Sequence, residues 1–383
     1  MRKVIRRTRR KLDPPVPGSL DDLVITDEWA ETLGDDTERF LFYDNGTDAL
    51  SRVILFGSES ALRKLAASST WFMDGNFAMA PPGFLQMYVI RVPLGTTAVT
   101  TVYALVQNKS QDTYDEMFRA IMNYCEVVGL FPDPLTVLCD FELADIRSVN
   151  DVLGGDVNIQ ACFYHFTQAT WRKIQELGLV QRYRADDDFK MFCAKLDGLA
   201  FLPIDDVTAG FELLRANTPE GAEPLVQYFA QTYVIGRFRR AEANIADGGV
   251  RVRMQRIPPR YQPAVWNVHD ATLNDEPRTN NQCEGFNNRF IHVIGYHHPT
   301  IWAFIRAIKQ EDCRVRTAIE QDLRGNPPTT RIRKAYVALQ KRLKTICQDR
   351  SEGRKTIAET LQGIAFNIRW RPFNMEHQEG PAN

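Results

Sequence analysis

Three short runs of aromatic and β-branched residues constrain the fold of this chain more than any other feature. The runs cover residues 71–77, 84–92 and 99–107, and the tripeptides Pro-Pro-Gly at 81–83 and Pro-Leu-Gly at 93–95 separate them. Apolar runs of this length, bounded by proline and glycine, are typical of β-strands joined by turns. We therefore predict a three-stranded meander in this part of the chain.

Helices and strands alternate after the meander. Apolar residues recur at helical spacing from about Thr113, where Glu116 is placed to complete a capping box. Residues 135–139 form a short apolar run typical of a buried central strand. The pattern then predicts a helix at 142–153, a strand at 158–163 and a helix at 165–177. This order occurs in ribonuclease-H-like α/β folds, which have a mixed five-stranded sheet, although other α/β arrangements share it.

The second half of the chain reads as mostly helical. Apolar positions within 186–234 recur at helical spacing, whereas 236–263 is rich in arginine and reads as a basic loop. Helical patterns resume near Asn280 and Thr300, and a basic helix is predicted at 331–344. The residues after Trp370 are polar, and we expect a loose tail there.

These patterns divide the chain into six segments. Two short apolar runs, at 40–43 and 53–56, predict two strands in a lead-in unit that precedes the meander. The predicted segments are a basic arm and linker (1–18), the small lead-in unit (19–70), the first part of the α/β core (71–180), a helical insertion with the basic loop (181–278), the last helices of the core (279–320), and a C-terminal basic helix with a loose tail (321–383).

Two aspartates, one within a predicted strand and one at the end of another, lie at positions where functional carboxylates are often found. Asp74 interrupts an apolar strand, where a carboxylate is costly to bury unless it is paired or bound to a metal. Asp140 ends the run 135–139, and open α/β sheets place functional groups at such strand ends. Singly, each has an equally good structural explanation, because Asp74 can support a turn with Gly75 and Asp140 can cap a helix. Together, on adjacent strands, they favour a metal site.

Glu284 is the candidate for a third acid. It follows Thr279, Asn280 and Asn281, any of which could cap a helix. By position alone, an acid in the first turn of a helix more often complements the positive end of that helix. Position alone therefore favours a structural role for Glu284 over a catalytic one.

Four strings in a fixed order decide between these interpretations. They are WFMDGNF at 71–77, CDFELA at 139–144, CFYHFTQ at 162–168 and TNNQCEGF at 279–286. Together they resemble the transposase domain of Mutator-like elements (MULEs), over residues 65–311. The resemblance implies a ribonuclease-H-like fold with a large helical insertion between the second and third acids. It also implies that Asp74, Asp140 and Glu284 form the acidic triad of a DNA transposase.

Such a triad supports phosphoryl transfer with two metal ions. Carboxylate oxygens suit Mg²⁺ or Mn²⁺, one ion activating the attacking oxygen and the other stabilising the leaving oxygen. The resemblance also implies a role for Cys162 and His165 near the catalytic centre. His165 could orient a phosphate or an acid, or it could be a core histidine whose hydrogen bonds are satisfied. A structural zinc at this pair would need two further ligands, and the sequence offers no second pair.

The expected partner is DNA, both transposon ends and target. The net charge is only −1, so contact with DNA requires local basic patches. The candidate patches are residues 237–260 and 331–344. For each of them, a charged face that contacts only solvent is an equally good explanation. The resemblance implies a nuclear homo-oligomer, and no apolar run suggests a membrane. The resemblance also implies a zinc-binding DNA-recognition module ahead of the core, yet no cysteine or histidine precedes Cys125. We therefore expect either a shortened copy or a separate module or subunit that recognises the transposon ends.

Three rival functions remain at this stage. The first is a domesticated, catalytically inactive DNA-binding or regulatory protein that keeps the fold, and the intact acids count against it. The second is a nuclease of the same fold that acts on RNA or RNA–DNA hybrids, and the long helical insertion counts against it. The third is a helical interaction module with incidental acids, which the four ordered strings count against.

Overall fold

The described part of the chain is a mixed α/β structure, as the sequence predicts. The computed structural model describes residues 13–244, 250–330 and 333–368. The chain divides into two compact units, the first comprising Met1–Ile159 with Asn280–Arg331 and the second Gln160–Thr279 with Ile332–Asn383. The predicted basic arm at 2–11 and the tail after Trp370 lie outside the described residues. The boundaries of the six predicted segments stay predictions.

A seven-stranded sheet forms the framework of the first unit. Its strands are β1 (Leu41–Asp44), β2 (Val53–Phe56), β3 (Thr70–Asn76), β4 (Gln86–Leu94), β5 (Thr97–Val106), β6 (Thr136–Cys139) and β7 (Asn158–Ala161). They lie in the order β1-β2-β5-β4-β3-β6-β7. The three strands of the meander and the two later strands are confirmed. The prediction of a five-stranded sheet is wrong, because β2 pairs antiparallel with β5 and the two lead-in strands extend the sheet.

Helices cover the strands and connect them. In chain order the described helices are α1 (Glu59–Ala66), α2 (Gln111–Val127), α3 (Leu143–Ser148), α4 (Phe163–Glu176), α5 (Val180–Ala185), α6 (Asp187–Gly198), α7 (Val207–Ala216), α8 (Glu223–Phe229), α9 (Pro263–Trp266), α10 (His269–Leu273), α11 (Asn281–Ile294), α12 (Ile301–Leu323), α13 (Lys334–Ser351) and α14 (Ile357–Ile368). No helix within the described residues is long and apolar enough to cross a membrane.

The cap of α2 differs from the predicted one. Ser110 is the N-cap residue, and its hydroxyl accepts a hydrogen bond from the backbone N–H of Thr113. The helix therefore begins before the predicted capping box. Glu116 instead accepts hydrogen bonds from the Tyr43 hydroxyl at 2.9 Å and the Asn45 amide at 2.7 Å, so this carboxylate anchors the edge strand β1.

The two faces of the sheet are distinguished by the alternation of side chains along β4. Val89 belongs to the core cluster that also contains Cys283 and Phe286 of α11. The adjacent Tyr88 lies outside that cluster and contacts α2, because its ring packs 5.5 Å from the ring of Tyr114. Successive residues of a strand point to opposite faces. One face of the sheet is therefore covered by α11 and α12, and the other by α2 and α3.

The described part of the second unit contains helices α4–α10, α13 and α14 and the β-hairpin formed by residues 237–244 and 250–257. Its core is aromatic, with the rings of Phe166 and Trp266 stacked at 5.0 Å. The basic stretch predicted as a loop is a hairpin, in which β8 (Arg237–Asn244) pairs antiparallel with β9 (Val250–Ile257). Apolar and charged residues alternate along β9 as in a strand, and the high arginine content obscures this alternation in the sequence.

Candidate active site

Strands β3 and β6 bring the two candidate aspartates side by side. The strands are parallel and adjacent, with Phe72 paired to Leu138. Continuing this register by two residues places Asp74 beside Asp140, just past the end of β6. Phe72 and Leu138 both belong to the core cluster beneath α11. Because side chains two residues apart in a strand share a face, Asp74 lies on the face that α11 covers, and Asp140 directly follows the neighbouring strand.

The first turns of α11 contact this pair of strands. The side-chain amide of Asn280, the residue before the helix, donates to the backbone carbonyl of Met73 at 2.7 Å. Cys283 is fully buried, which raises the pKa of its thiol well above the usual value, and the negative charges of Asp74 and Asp140 contribute to the rise. The charges of both carboxylates therefore act on this thiol, and the Asn280 hydrogen bond places the start of α11 against β3.

Asn287 is the direct link between the helix and the first aspartate. Its Nδ2 atom donates a hydrogen bond of 2.6 Å to Oδ2 of Asp74, whose side chain is 8% exposed. The Oδ1 atom of Asn287 is buried and has no hydrogen-bond partner among the described residues. A buried amide oxygen without a partner costs free energy, so a ligand that fills this place would be stabilised there.

Glu284 lies in the first turn of α11, between Cys283 and Asn287 on the same helix. It is half-buried, as is Asp140. Residues three apart on a helix share a side of it, so Glu284 and Asn287 face the same way. The helix therefore carries the third candidate acid within one turn of the residue that contacts Asp74.

The donor chemistry of these residues fits a hard divalent cation. Three carboxylates and the partnerless oxygen of Asn287 are the oxygen ligands that Mg²⁺ and Mn²⁺ prefer. Across the ranges that the structure describes, however, no group of three or more His, Cys, Asp or Glu side chains is gathered closely enough to hold a metal ion. The structure thus brings Asp74 and Asp140 to one place with α11, without a preformed three-carboxylate cage.

His165 belongs to the second unit, unlike the three acids. It lies in the first turn of α4, and its ring contacts that of Tyr164 edge-on at 5.4 Å. Cys162 is buried and is the N-cap residue of α4. The backbone N–H of Phe163, between them, donates to the carbonyl of Arg278 at 3.0 Å. The Cys-x-x-His string therefore forms the start of a helix that is fixed to the segment before α11.

A second group of acids lies on the opposite face of the sheet, and sequence reasoning missed it. The Tyr88 hydroxyl donates to Oδ2 of Asp145 at 2.8 Å. Burial raises the pKa of Asp145 to about 8, against the lowering effect of the Tyr88 hydrogen bond. The charges of Glu142 and Asp140 add to the rise, and that of Lys109 opposes it. Only the alternation in β4 and the helical position of Asp145 on α3 could have pointed to this contact.

Glu142 completes this second group. It accepts a hydrogen bond of 2.9 Å from the Tyr114 hydroxyl and forms an ion pair with Lys109. The amide of Gln86 in turn donates to the Tyr114 oxygen at 2.7 Å. Each acid of this group is therefore bound by phenol or ammonium donors of the fold itself.

The fold and the site define a mixed α/β protein in which one aspartate lies on a strand and a second directly follows the adjacent parallel strand. Residues 70–169 match the family model of the MULE transposase domain. The matched segment contains Asp74, Asp140 and His165 and ends before Glu284. The match supports a MULE transposase and a transposase-related function on DNA. A search of curated proteins found no match.

Proposed function

We propose that this chain is the catalytic part of a DNA transposase, which cleaves DNA strands and joins them to a target by metal-dependent phosphoryl transfer. The observation that carries the proposal is the juxtaposition of Asp74 and Asp140 on β3 and β6, within the segment that resembles MULE transposases. The order of strands and helices from β3 to α4 supports a ribonuclease-H-like core.

The proposed ligands of Mg²⁺ or Mn²⁺ are Asp74, Asp140 and Glu284. When bound, such ions activate an attacking water or DNA 3′-hydroxyl and stabilise the leaving oxygen. The chain itself supplies orientation and exclusion of water. Asn287 fixes one oxygen of the Asp74 carboxylate through its 2.6 Å hydrogen bond, and packing under α11 keeps that carboxylate 8% exposed.

The role of His165 in this proposal is to orient a phosphate or an acid during the reaction. Support comes from the resemblance and from the matched segment, which includes His165. A His165→Asn variant tests this role, because loss of an orienting histidine reduces strand transfer and leaves DNA binding unchanged.

We further propose a nuclear homo-oligomer that pairs two transposon ends, with end recognition by a separate module or subunit.

The first experiment measures nicking and strand transfer on plasmid DNA with Mg²⁺ or Mn²⁺. The variants Asp74→Asn, Asp140→Asn and Glu284→Gln keep side-chain size and remove the charge. Asp133→Asn, at an exposed position before β6, is the matched control. The proposal requires metal-dependent cleavage by wild type and by the control, and its loss in each of the three variants.

One observation favours a second candidate, a domesticated DNA-binding protein without catalysis. It is the lack of a three-carboxylate group close enough to hold a metal among the described residues. The same assay separates the two candidates when DNA binding is measured in parallel. Wild-type protein that binds DNA and never cleaves it with either metal, or cleavage that ignores all three substitutions, selects the binding protein.

A further inference from the structure

The β8–β9 hairpin of the second unit presents an arginine-rich face. In its antiparallel register Arg239 lies opposite Gln255, and Arg253 lies opposite Ala241, two residues after Arg239. Residues directly opposite each other, and residues two apart on one strand, share a face. Arg237, Arg239 and Arg253 therefore lie on one face of the hairpin together with Gln255, and all of these side chains are exposed.

The other face of the hairpin has a different character. Phe238 and Met254 lie on it, and they are 59% and 65% exposed. Arg256, opposite Phe238, donates from Nε and Nη2 to the backbone carbonyl of Ile235 at 3.2 and 3.1 Å. This face is therefore mixed, and one of its guanidinium groups is held by the backbone.

The charges of the arginines on the first face are not neutralised by any acid whose side chain the structure describes. Within the described residues, Arg237, Arg239 and Arg253 form no ion pair with a carboxylate. The Arg239 guanidinium donates from Nε and Nη2 to Oε1 of Gln255, at 3.3 and 3.2 Å, which fixes this side chain across the strands. Three like charges within one short ribbon repel each other, so an anionic partner stabilises them.

We propose that this face of the hairpin binds the major groove and flanking phosphates of duplex DNA. The major groove of B-DNA, about 12 Å wide, admits a two-stranded β-ribbon. A guanidinium group can bind a phosphate through two parallel hydrogen bonds. Strands of eight residues span about 27 Å at about 3.4 Å per residue, which is long enough to follow the groove over most of a turn. The choice of DNA as the partner rests on the proposed function.

The test is the salt dependence of DNA binding, measured by fluorescence anisotropy with full-length protein and a 30-base-pair duplex. The variant combines Arg237→Gln, Arg239→Gln and Arg253→Gln. Each phosphate contact contributes about 0.9 to the slope of log affinity against log salt concentration. The variant is therefore expected to lose roughly 3 from that slope and at least about tenfold in affinity near 0.1 M salt.

Two controls isolate the face and the charge. Phe238→Ala with Met254→Ala alters the opposite face. We expect the slope of log affinity against log salt to be unchanged and the affinity to stay within about twofold of wild type. A second triple variant replaces three exposed arginines on helices of the first unit by glutamine, so that the net charge falls equally; these are Arg63, Arg119 and Arg324, each in an ion pair one helical turn away. An equal loss in this charge control overturns the hairpin proposal.

Further outcomes distinguish this proposal from the proposed function. A hairpin variant that binds DNA like wild type, in a protein whose metal-dependent cleavage depends on Asp74, refutes the hairpin and leaves the transposase standing. A wild-type protein that binds no duplex DNA refutes both. Equal affinity for double-stranded RNA, whose major groove is too narrow for a ribbon, contradicts the groove placement. Circular dichroism and thermal unfolding confirm that each variant is folded.

Discussion

The two faces of the seven-stranded sheet hold buried carboxyl groups in different ways. On the face under α11, Asp74 accepts from the amide of Asn287, whose own oxygen has no partner among the described residues. On the face under α2 and α3, Asp145 accepts from the Tyr88 hydroxyl, and burial raises its pKa to about 8. The first arrangement leaves an oxygen donor for a ligand, whereas the second stabilises a protonated acid.

This difference bears on which of the three acids after β6, Asp140, Glu142 or Asp145, could bind a metal cation. A carboxyl that keeps its proton at neutral pH offers no charge to a metal, so Asp145 serves the packing of α3 against the sheet. Glu142 is neutralised by Lys109. Asp140 follows β6 directly and raises the pKa of groups on both faces, Cys283 on one and Asp145 on the other. The charge of Asp140 therefore acts on a group on each face of the sheet.

The largest expected effect contrasts Asp140 with Asp145. We expect Asp140→Asn to reduce DNA cleavage on the order of 10³-fold, because a metal ligand stabilises several kcal/mol of charge in the transition state. Asp145→Asn should change cleavage by less than about threefold, since the amide replaces an acid that is already neutral. Single-turnover cleavage at pH 7 measures both. Comparable losses in the two variants contradict the division between the faces.

Substitution of Asn287 gives the next largest effect. Asn287→Ala removes the 2.6 Å hydrogen bond to Asp74, and loss of such a supporting contact costs about 10–100-fold in metal affinity or activity. If Asn287 orients the ligand, the Mg²⁺ concentration for half-maximal cleavage rises. The matched control is Asn288→Ala, at the exposed neighbouring position of α11. A loss of rate at saturating Mg²⁺ with no shift in metal dependence shows a role other than positioning.

Asp145 should also impose a pH dependence on stability. Its pKa is raised from an unfolded value of 3.8 to about 8, so the folded state binds the proton more tightly between these values. The free energy of unfolding therefore falls as pH rises from about 4 to 8, by up to about 1.4 kcal/mol per pH unit from this group. Asp145→Asn removes this component, and its amide oxygen can still accept from Tyr88.

Urea unfolding of wild type and of Asp145→Asn at pH 5, 6.5 and 8 measures this component. The difference between the two proteins cancels the titration of other groups. We expect Asp145→Asn to gain stability relative to wild type as pH rises. A difference that is constant with pH shows that Asp145 has the same protonation state in the folded and the unfolded protein over this range.

The sequence predicts the framework of the site better than its contacts. Strands β3 and β6 have apolar patterns of the right length, so the positions of Asp74 within one strand and Asp140 just after the other follow from local sequence, whereas the pairing of the two strands does not. The hydrogen bond between Asp74 and Asn287 joins residues 213 positions apart, and no local pattern encodes it. The bond between Tyr88 and Asp145 likewise depends on which helix covers which face.

The hairpin shows the opposite limitation. Its strands are local, yet arginine occupies positions that apolar residues hold in most strands, so composition favoured a loop. The two lead-in strands were predicted, but their pairing with β5 was not, because pairing partners far apart in the chain leave no periodic signal. Patterns of polarity therefore predict the type of an element more reliably than its neighbours.

The smallest expected effect concerns the helix that covers the second face. Ser110→Ala removes the acceptor for the Thr113 N–H at the start of α2, and such a change costs about 1 kcal/mol of stability. One turn further on, Tyr114 binds Glu142, so fraying of this turn loosens the second group of acids without reaching Asp74. Stability to urea should fall while the Mg²⁺ dependence of cleavage stays unchanged. A shift in metal dependence in Ser110→Ala contradicts the independence of the two faces, because it shows that order on the α2 face is transmitted to the candidate active site.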